Sequence, residues 1–283
     1  MASFRLYQYT SIGRSLDPAW PSNRAVLVLL PLVAVLGAAL AWIEGLAPLA
    51  LLPRGIGLAL IVFLAWALGR ELDPDDPSAA FISLALGLLV GLAHPDAGLL
   101  TALTTLGLIR MVNRSTGLAP KVSDSVVLLL LSIWVIYRTG SPYFGAVAAL
   151  AFVLDGSLRN PLRHQWLYAL LCLGATVVYM VDHDVDPRAV AAPGSLFEWL
   201  SVLALLMFAI YLLLTRSVRA RADVGGQPLD LARVRGGMAV GLLAALQSLG
   251  KLGEVAVIVA AIGGISLGMA VRKGFRAPVA RQK

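Results

Sequence analysis

Apolar residues run along this chain in long blocks rather than alternating with polar ones, and the polar punctuation between blocks is short. Such blocks predict helices with apolar surroundings on most sides, since a half-buried strand would alternate and a surface helix would show one polar face. Ten are expected: Ala25 to Ile43, Ile56 to Gly69, Ala79 to Ala93, Gly98 to Val112, Val122 to Tyr137, Tyr143 to Leu154, Trp166 to Val181, Trp199 to Leu214, Gly237 to Leu249 and Val255 to Val271. Several fall short of the ~20 residues that cross a bilayer and must borrow flanking residues. Tyr143 to Leu154 is the shortest and also suits a re-entrant segment. The first block is too long for the core of a signal peptide. Ala39 and Ala41 offer small residues for cleavage, but an uncleaved first helix is expected.

Asp76-Pro77, Ser141-Pro142 and Asn160-Pro161 each place a side-chain acceptor before a proline, the pattern of a capped helix start. Trp42, Trp166, Trp199 and Tyr143 lie near block ends, where interfacial aromatics belong. Glycines four apart, at Gly87 and Gly91, Gly237 and Gly241, and Gly264 and Gly268, mark faces for close helix packing. No inverted repeat is evident, because the tight turn His94 to Ala97 has the long basic loop Thr215 to Arg235 at the matching place.

The chain has 283 residues, 59% of them hydrophobic and 14% charged, with a net charge of +7. That charged fraction is far below the roughly 25% of soluble domains. If the N-terminus is cytoplasmic, 19 of the 23 Lys and Arg fall on the cytoplasmic side, as the positive-inside rule requires. The expectation is therefore an all-α polytopic transmembrane bundle of about ten spans in a bacterial plasma membrane, with both termini cytoplasmic. Residues 1–24 form a cytoplasmic arm, 25–271 the membrane domain and 272–283 a basic tail. The bilayer is the evident partner. Nucleic acid is not, because no basic stretch is interleaved with stacking aromatics.

No charged residue falls near the middle of a block, which argues against an ion-coupled carrier. The single Cys172 and three scattered histidines exclude a thiolate cluster and a helical zinc pair. No nucleophile has a base that could plausibly meet it. Polar chemistry is left to the cytoplasmic loops. Glu71, Asp73 and Asp75 are candidate Mg²⁺ ligands, since hard carboxylate oxygens bind a cation that bridges to phosphate. Arg114, Arg159, Asn113 and Asn160 are candidate substrate-binding residues, the guanidinium fork matching phosphate geometry. The plainer alternative makes Asp76 a helix cap and pairs the other acids with neighbouring arginines.

Glu71 and Asp75 share i, i+4 spacing, and the loop after the sixth block begins at Asp155. In these features the chain is similar to UbiA-type prenyltransferases, whose acid-rich loops follow the second and sixth helices. It departs from them in having Arg159 four residues after Asp155, no asparagine before the first acid cluster and a short first loop.

The specific expectation is a membrane-embedded transferase acting at the cytoplasmic face on a phosphate-bearing or diphosphate-bearing lipid. The alternatives are a ten-helix small-solute transporter with Thr101, Thr104 and Thr105 on its path, and a scaffold without chemistry. Asp182-His183-Asp184-Val185-Asp186 is an acidic turn on the opposite side, the threonines also suit bonding to their own backbone, and Gln247, Ser248, Lys251 and Glu254 suit interhelical polar contacts.

Overall fold

The computed structural model describes residues 7–95, 97–184 and 193–276. Each predicted block becomes a helix: α1 Pro21–Ile43, α2 Pro48–Leu72, α3 Pro77–Ala93, α4 Leu99–Asn113, α5 Val122–Thr139, α6 Pro142–Ser157, α7 Gln165–Asp182, α8 Leu196–Leu214, α9 Leu231–Ala245 and α10 Ser248–Arg276. No strand occurs among the described residues; Arg221 and Pro228 form one isolated bridge. Six helices, namely α1, α2, α5, α7, α8 and the 251–272 stretch of α10, are long and apolar enough to cross a membrane. The other four are shorter: α4 and α9, at 15 residues each, reach only about 22 Å.

The short helices α4 and α9 pack against each other at the centre of the bundle. On one side α2, α3 and α10 pack mutually, and on the other α5, α6 and α7 do the same. Helix α1 lies outside α2, and α8 lies against α10. This arrangement explains the exposure pattern. Leu108, Ile109 and Met111 of α4 are fully buried, whereas Val28, Val35, Leu203 and Leu213 of α1 and α8 stay exposed, as side chains facing lipid would be.

The glycine faces act as the sequence suggests. A side chain at Gly87 would meet Ala65 Cβ of α2 at 2.5 Å, and one at Gly268 would meet Ala79 Cβ of α3 at 3.0 Å. At Gly264 it would run into the backbone and hydroxyl of Ser83, which donates to the Ala261 carbonyl at 2.9 Å. Trp42, Trp166 and Trp199 are all exposed near helix ends.

Helix boundaries bring some corrections. Asp76 caps α3, its carboxylate accepting from Ser78 N at 2.9 Å. Ser141 precedes α6, but its hydroxyl donates to Gln247 Oε1 at 2.5 Å instead of capping. Asn160-Pro161 does not open a helix: Asn160 sits at φ 56, and α7 begins at Gln165 after a turn closed by Gln165 N to Leu162 O. Helix α2 begins eight residues before Ile56, at Pro48, and includes Pro53 and Arg54. Helix α9 begins at Leu231, which takes Arg233 into the helix.

Alternate connections gather at opposite ends of the bundle. At one end, Asp75 accepts from Arg219 N and Ala220 N, while Asp223 N and Val224 N donate to the carbonyls of Ser115 and Thr116. At the other, Lys251 donates to the carbonyls of Thr139 and Gly140 at 2.5 and 2.6 Å, and Gly98 N donates to the Gly253 carbonyl. The expected polar role of Gln247 and Lys251 between helices holds. The first end, which carries the arm, the α2–α3, α4–α5, α6–α7 and α8–α9 connections and Arg272, is called the loop face below.

Candidate functional site

The last two turns of α2 organise the loop face. Phe63, Trp66, Ala67 and Arg70 follow helical i, i+3, i+4, i+7 spacing and so share one stripe, which becomes polar toward the loop. All four line a cavity of about 670 Å³. Its remaining walls come from the N-terminal arm, including Arg14 and Trp20, from Arg110 and Ser115, and from the 220–226 loop. Phe63 is seven residues from Arg70, so the cavity follows α2 inward by about 10 Å.

Beside Arg70 on the cavity wall, Glu71, 1% exposed, accepts from Arg14 Nη1 and Arg110 Nε, both at 3.0 Å. Arg14 turns its other edge to Asp223, with Nε at 2.7 Å from Oδ2 and Nη2 at 2.6 Å from Oδ1. Burial alone would lower the Arg14 pKa; Glu71 and Asp223 outweigh it and hold the guanidinium above its ordinary value. Burial first, then Asp223, raises the Tyr7 phenol on the cavity wall.

One turn along α4 from Arg110, Arg114 belongs to a second cluster. Asp155 is fully buried and accepts from Arg114 Nε at 2.9 Å, Arg233 Nη1 at 2.8 Å and Gln165 Nε2 at 3.2 Å. Arg233 also donates to the Arg159 and Val112 carbonyls. A third pairing joins α10 to the α2–α3 connection. Arg272 donates to Asp73 Oδ2 at 2.9 Å, and its Nη1 lies 2.9 Å from Asp76 Oδ2. Burial pushes the Asp73 carboxyl up, against the pull of Arg272.

The residues singled out from sequence are thus brought to one face but not to one point. Glu71 is used by Arg14 and Arg110, Asp73 by Arg272, and Asp75 by two backbone N–H groups. Among the described residues no three His, Cys, Asp or Glu side chains form a group able to hold a metal ion. Asn113 donates to the Glu71 carbonyl at 2.9 Å and Arg114 holds Asp155, both away from the cavity wall. Arg159 is 77% exposed and only 3.9 Å from Asp230, and Asn160 lies in an exposed turn. The plainer pairing of acids with arginines describes Glu71, Asp73 and Asp155, and Asp76 is both a cap and a partner of Arg272.

Arg70 differs from these arginines. It makes no ion pair among the described residues; its Nη1 donates to Asn23 Oδ1 at 2.8 Å, and its guanidinium sits 5.1 Å from the Trp66 ring centroid. Trp66 itself is 2% exposed, and its indole N–H has no acceptor. The cavity therefore offers an unpaired cation beside an aromatic wall.

Sequence reasoning missed Arg14, Asp223, Arg233 and the distinct position of Arg70. The α2 stripe was the available signal for Arg70. Arg14 and Asp223 lie in irregular segments, where no periodicity links them to α2.

For the transporter reading, Thr104 and Thr105 donate to the carbonyls of Leu100 and Thr101, both at 2.7 Å. That leaves only the Thr101 hydroxyl without a partner. The acidic turn at 182–186 lies partly outside the described residues. Comparison with protein-family models, curated proteins and solved structures returns no match for this chain.

Proposed function

We propose that this chain is an integral protein of a bacterial-type plasma membrane, with both termini and the loop face in the cytoplasm. There it acts as a transferase on a phosphate-bearing lipid. The positive charges concentrated on the loop face support this orientation, because cytoplasmic loops carry excess Lys and Arg. The alternating ends of the helices α1 to α10 support a chain that passes back and forth between two faces. The short central helices α4 and α9 need not match the bilayer thickness, since their backbones are surrounded by other helices.

One observation carries the lipid reading: the unpaired Arg70 stands at the mouth end of an aromatic stripe that runs toward the apolar middle of α2. A head-group phosphate at Arg70 would leave its chain against Trp66, Ala67 and Phe63. The guanidinium fork suits a phosphate, and cation–π contact with Trp66 fixes its plane. Arg70 supplies the counter-charge for one negative charge of the head group.

Lipid profiles of cells lacking the gene, and of cells carrying Arg70→Gln in its place, test this. Both should accumulate the same phosphate-bearing lipid and lack the same product. An unchanged profile in the deletion would refute lipid chemistry. A changed profile fully restored by Arg70→Gln would remove this cavity from it.

A further inference from the structure

We infer that the cavity takes a lipid whose head group is a phosphate diester with one negative charge, rather than a diphosphate held through Mg²⁺. This rests on the lipid-binding reading above and adds the charge class of the ligand.

Charge matching is the first argument. Four guanidinium and four carboxylate side chains line the cavity, and one of those carboxylates, Asp73, is paired from outside the wall by Arg272. A single positive charge is left over. Among the described residues Arg70 and Arg221 lack a carboxylate partner and Asp17 lacks a cation, but Arg221 is exposed and donates to the Gly226 carbonyl of its own loop, so the surplus beside the aromatic wall is Arg70. A singly charged head group satisfies that surplus. A diphosphate would bring at least one further negative charge into a site already holding Glu71 and Asp223, where unmatched charge is costly.

The second argument concerns the cation that would neutralise a diphosphate. Its expected ligands are engaged elsewhere: Glu71 by two arginines, Asp73 by Arg272 and Asp75 by the Arg219 and Ala220 N–H groups. Recruiting Glu71 or Asp73 would strip a buried ion pair of its partner, and recruiting Asp75 would release the 219–220 backbone. The third argument is the donor set. A diester presents one negative charge, which suits one guanidinium fork, and the cavity offers that fork in Arg70, set over the Trp66 ring. The volume of about 670 Å³ suits a head group and the first part of its chains.

Binding to the purified full chain in a non-ionic detergent, measured by calorimetry, separates the possibilities. The probes are dihexanoyl phosphatidylglycerol, uncharged dihexanoylglycerol, the tail-less glycerophosphoglycerol, and farnesyl diphosphate with Mg²⁺ or with a chelator. The short-chain diester should bind at least tenfold more tightly than the uncharged or tail-less probe, and farnesyl diphosphate should bind more weakly whether or not Mg²⁺ is present. Arg70→Gln should lose at least tenfold for the diester, and Trp66→Phe, which keeps the ring, about threefold.

Tighter, Mg²⁺-dependent binding of farnesyl diphosphate that is lost in Arg70→Gln would overturn the charge class and leave the lipid site standing. Equal binding of glycerophosphoglycerol would make the ligand a soluble diester and overturn its lipid character. If no anionic probe binds, or if binding ignores both substitutions, the lipid-site reading falls and this inference with it. Trp66→Phe keeps the comparison meaningful if Arg70→Gln fails to fold.

Discussion

Glu71 and Asp155 are almost completely buried, and each faces two guanidinium groups, so they anchor separate halves of the loop face. Buried ion pairs cost desolvation to form, yet removing one member strands the other, at about 3 to 5 kcal/mol. Glu71→Ala should therefore lower the melting temperature in detergent strongly. Combining Glu71→Met with Arg110→Met should recover much of that loss, since Arg14 keeps Asp223. Arg159→Ala, at an exposed and distant pair, should change stability by less than about 1 kcal/mol. Equal losses for Glu71→Ala and Arg159→Ala would refute the distinction. Asp73 gives a pH test. Its carboxyl is raised above the model-compound value of 3.8, chiefly by burial, so the fold binds this proton more tightly than the unfolded chain does. That contribution is complete below the ordinary value and is lost as pH rises through the folded one. Asp73→Asn removes the decline, so the melting temperature of the variant minus that of the native chain should increase from about pH 4 to about pH 7. A flat difference would contradict the raised value.

At the scale of elements, close glycine contacts fix how α3 sits between α2 and α10. Lipid tails are as apolar as the helices, so packing contact rather than a hydrophobic drive holds such neighbours together. Gly264→Ala would push a methyl into Ser83 and separate α10 from α3, and a melting-temperature loss is expected. Gly57→Ala has open space, with nothing within 4 Å, and should be neutral or stabilising by up to about 1 kcal/mol, because alanine is the better helix former. A loss at Gly57 as large as at Gly264 would mean that helix propensity, and not packing, decides. The helices and the Gly264 and Gly268 face were legible in the sequence because burial on all sides needs unbroken apolar runs and close approach needs small residues. Boundaries were less so. Arg233 resembles a loop charge, but a buried Asp155 and the Arg159 carbonyl receive it, so α9 begins a turn and a half earlier than hydropathy suggests. Asn160 resembles a cap, yet its left-handed backbone places it in the turn. The cavity was not legible at all, because its walls join residues near 14, 66, 110 and 223, and only tertiary packing brings these together.

For the whole molecule, the decisive property is the segregation of charge between two ends. Arg14, Glu71, Arg110, Asp155, Asp223 and Arg272 are drawn into pairs at one end, while Lys251 at the other caps carbonyls of the α5–α6 turn. That division follows from helices that reverse direction at each connection, and it brings the arm and the α2–α3, α4–α5 and α8–α9 connections to the cavity. Its test is compartmental. The lone native thiol, Cys172, is buried, so cysteines placed at the exposed positions Asp75, Arg159, Glu44 and His183 can be read individually with a membrane-impermeant maleimide. Positions 75 and 159 should react only in inverted vesicles, and positions 44 and 183 only in intact cells. Should 75 and 159 react from opposite sides, the loop face would not share one aqueous compartment, and no single ligand could reach the cavity from the cytoplasm. Should all four positions invert together, the fold and the cavity would stand while the lipid chemistry moved to the outer leaflet. There the excess of Lys and Arg would oppose the usual topological bias, so reversal is the costlier arrangement.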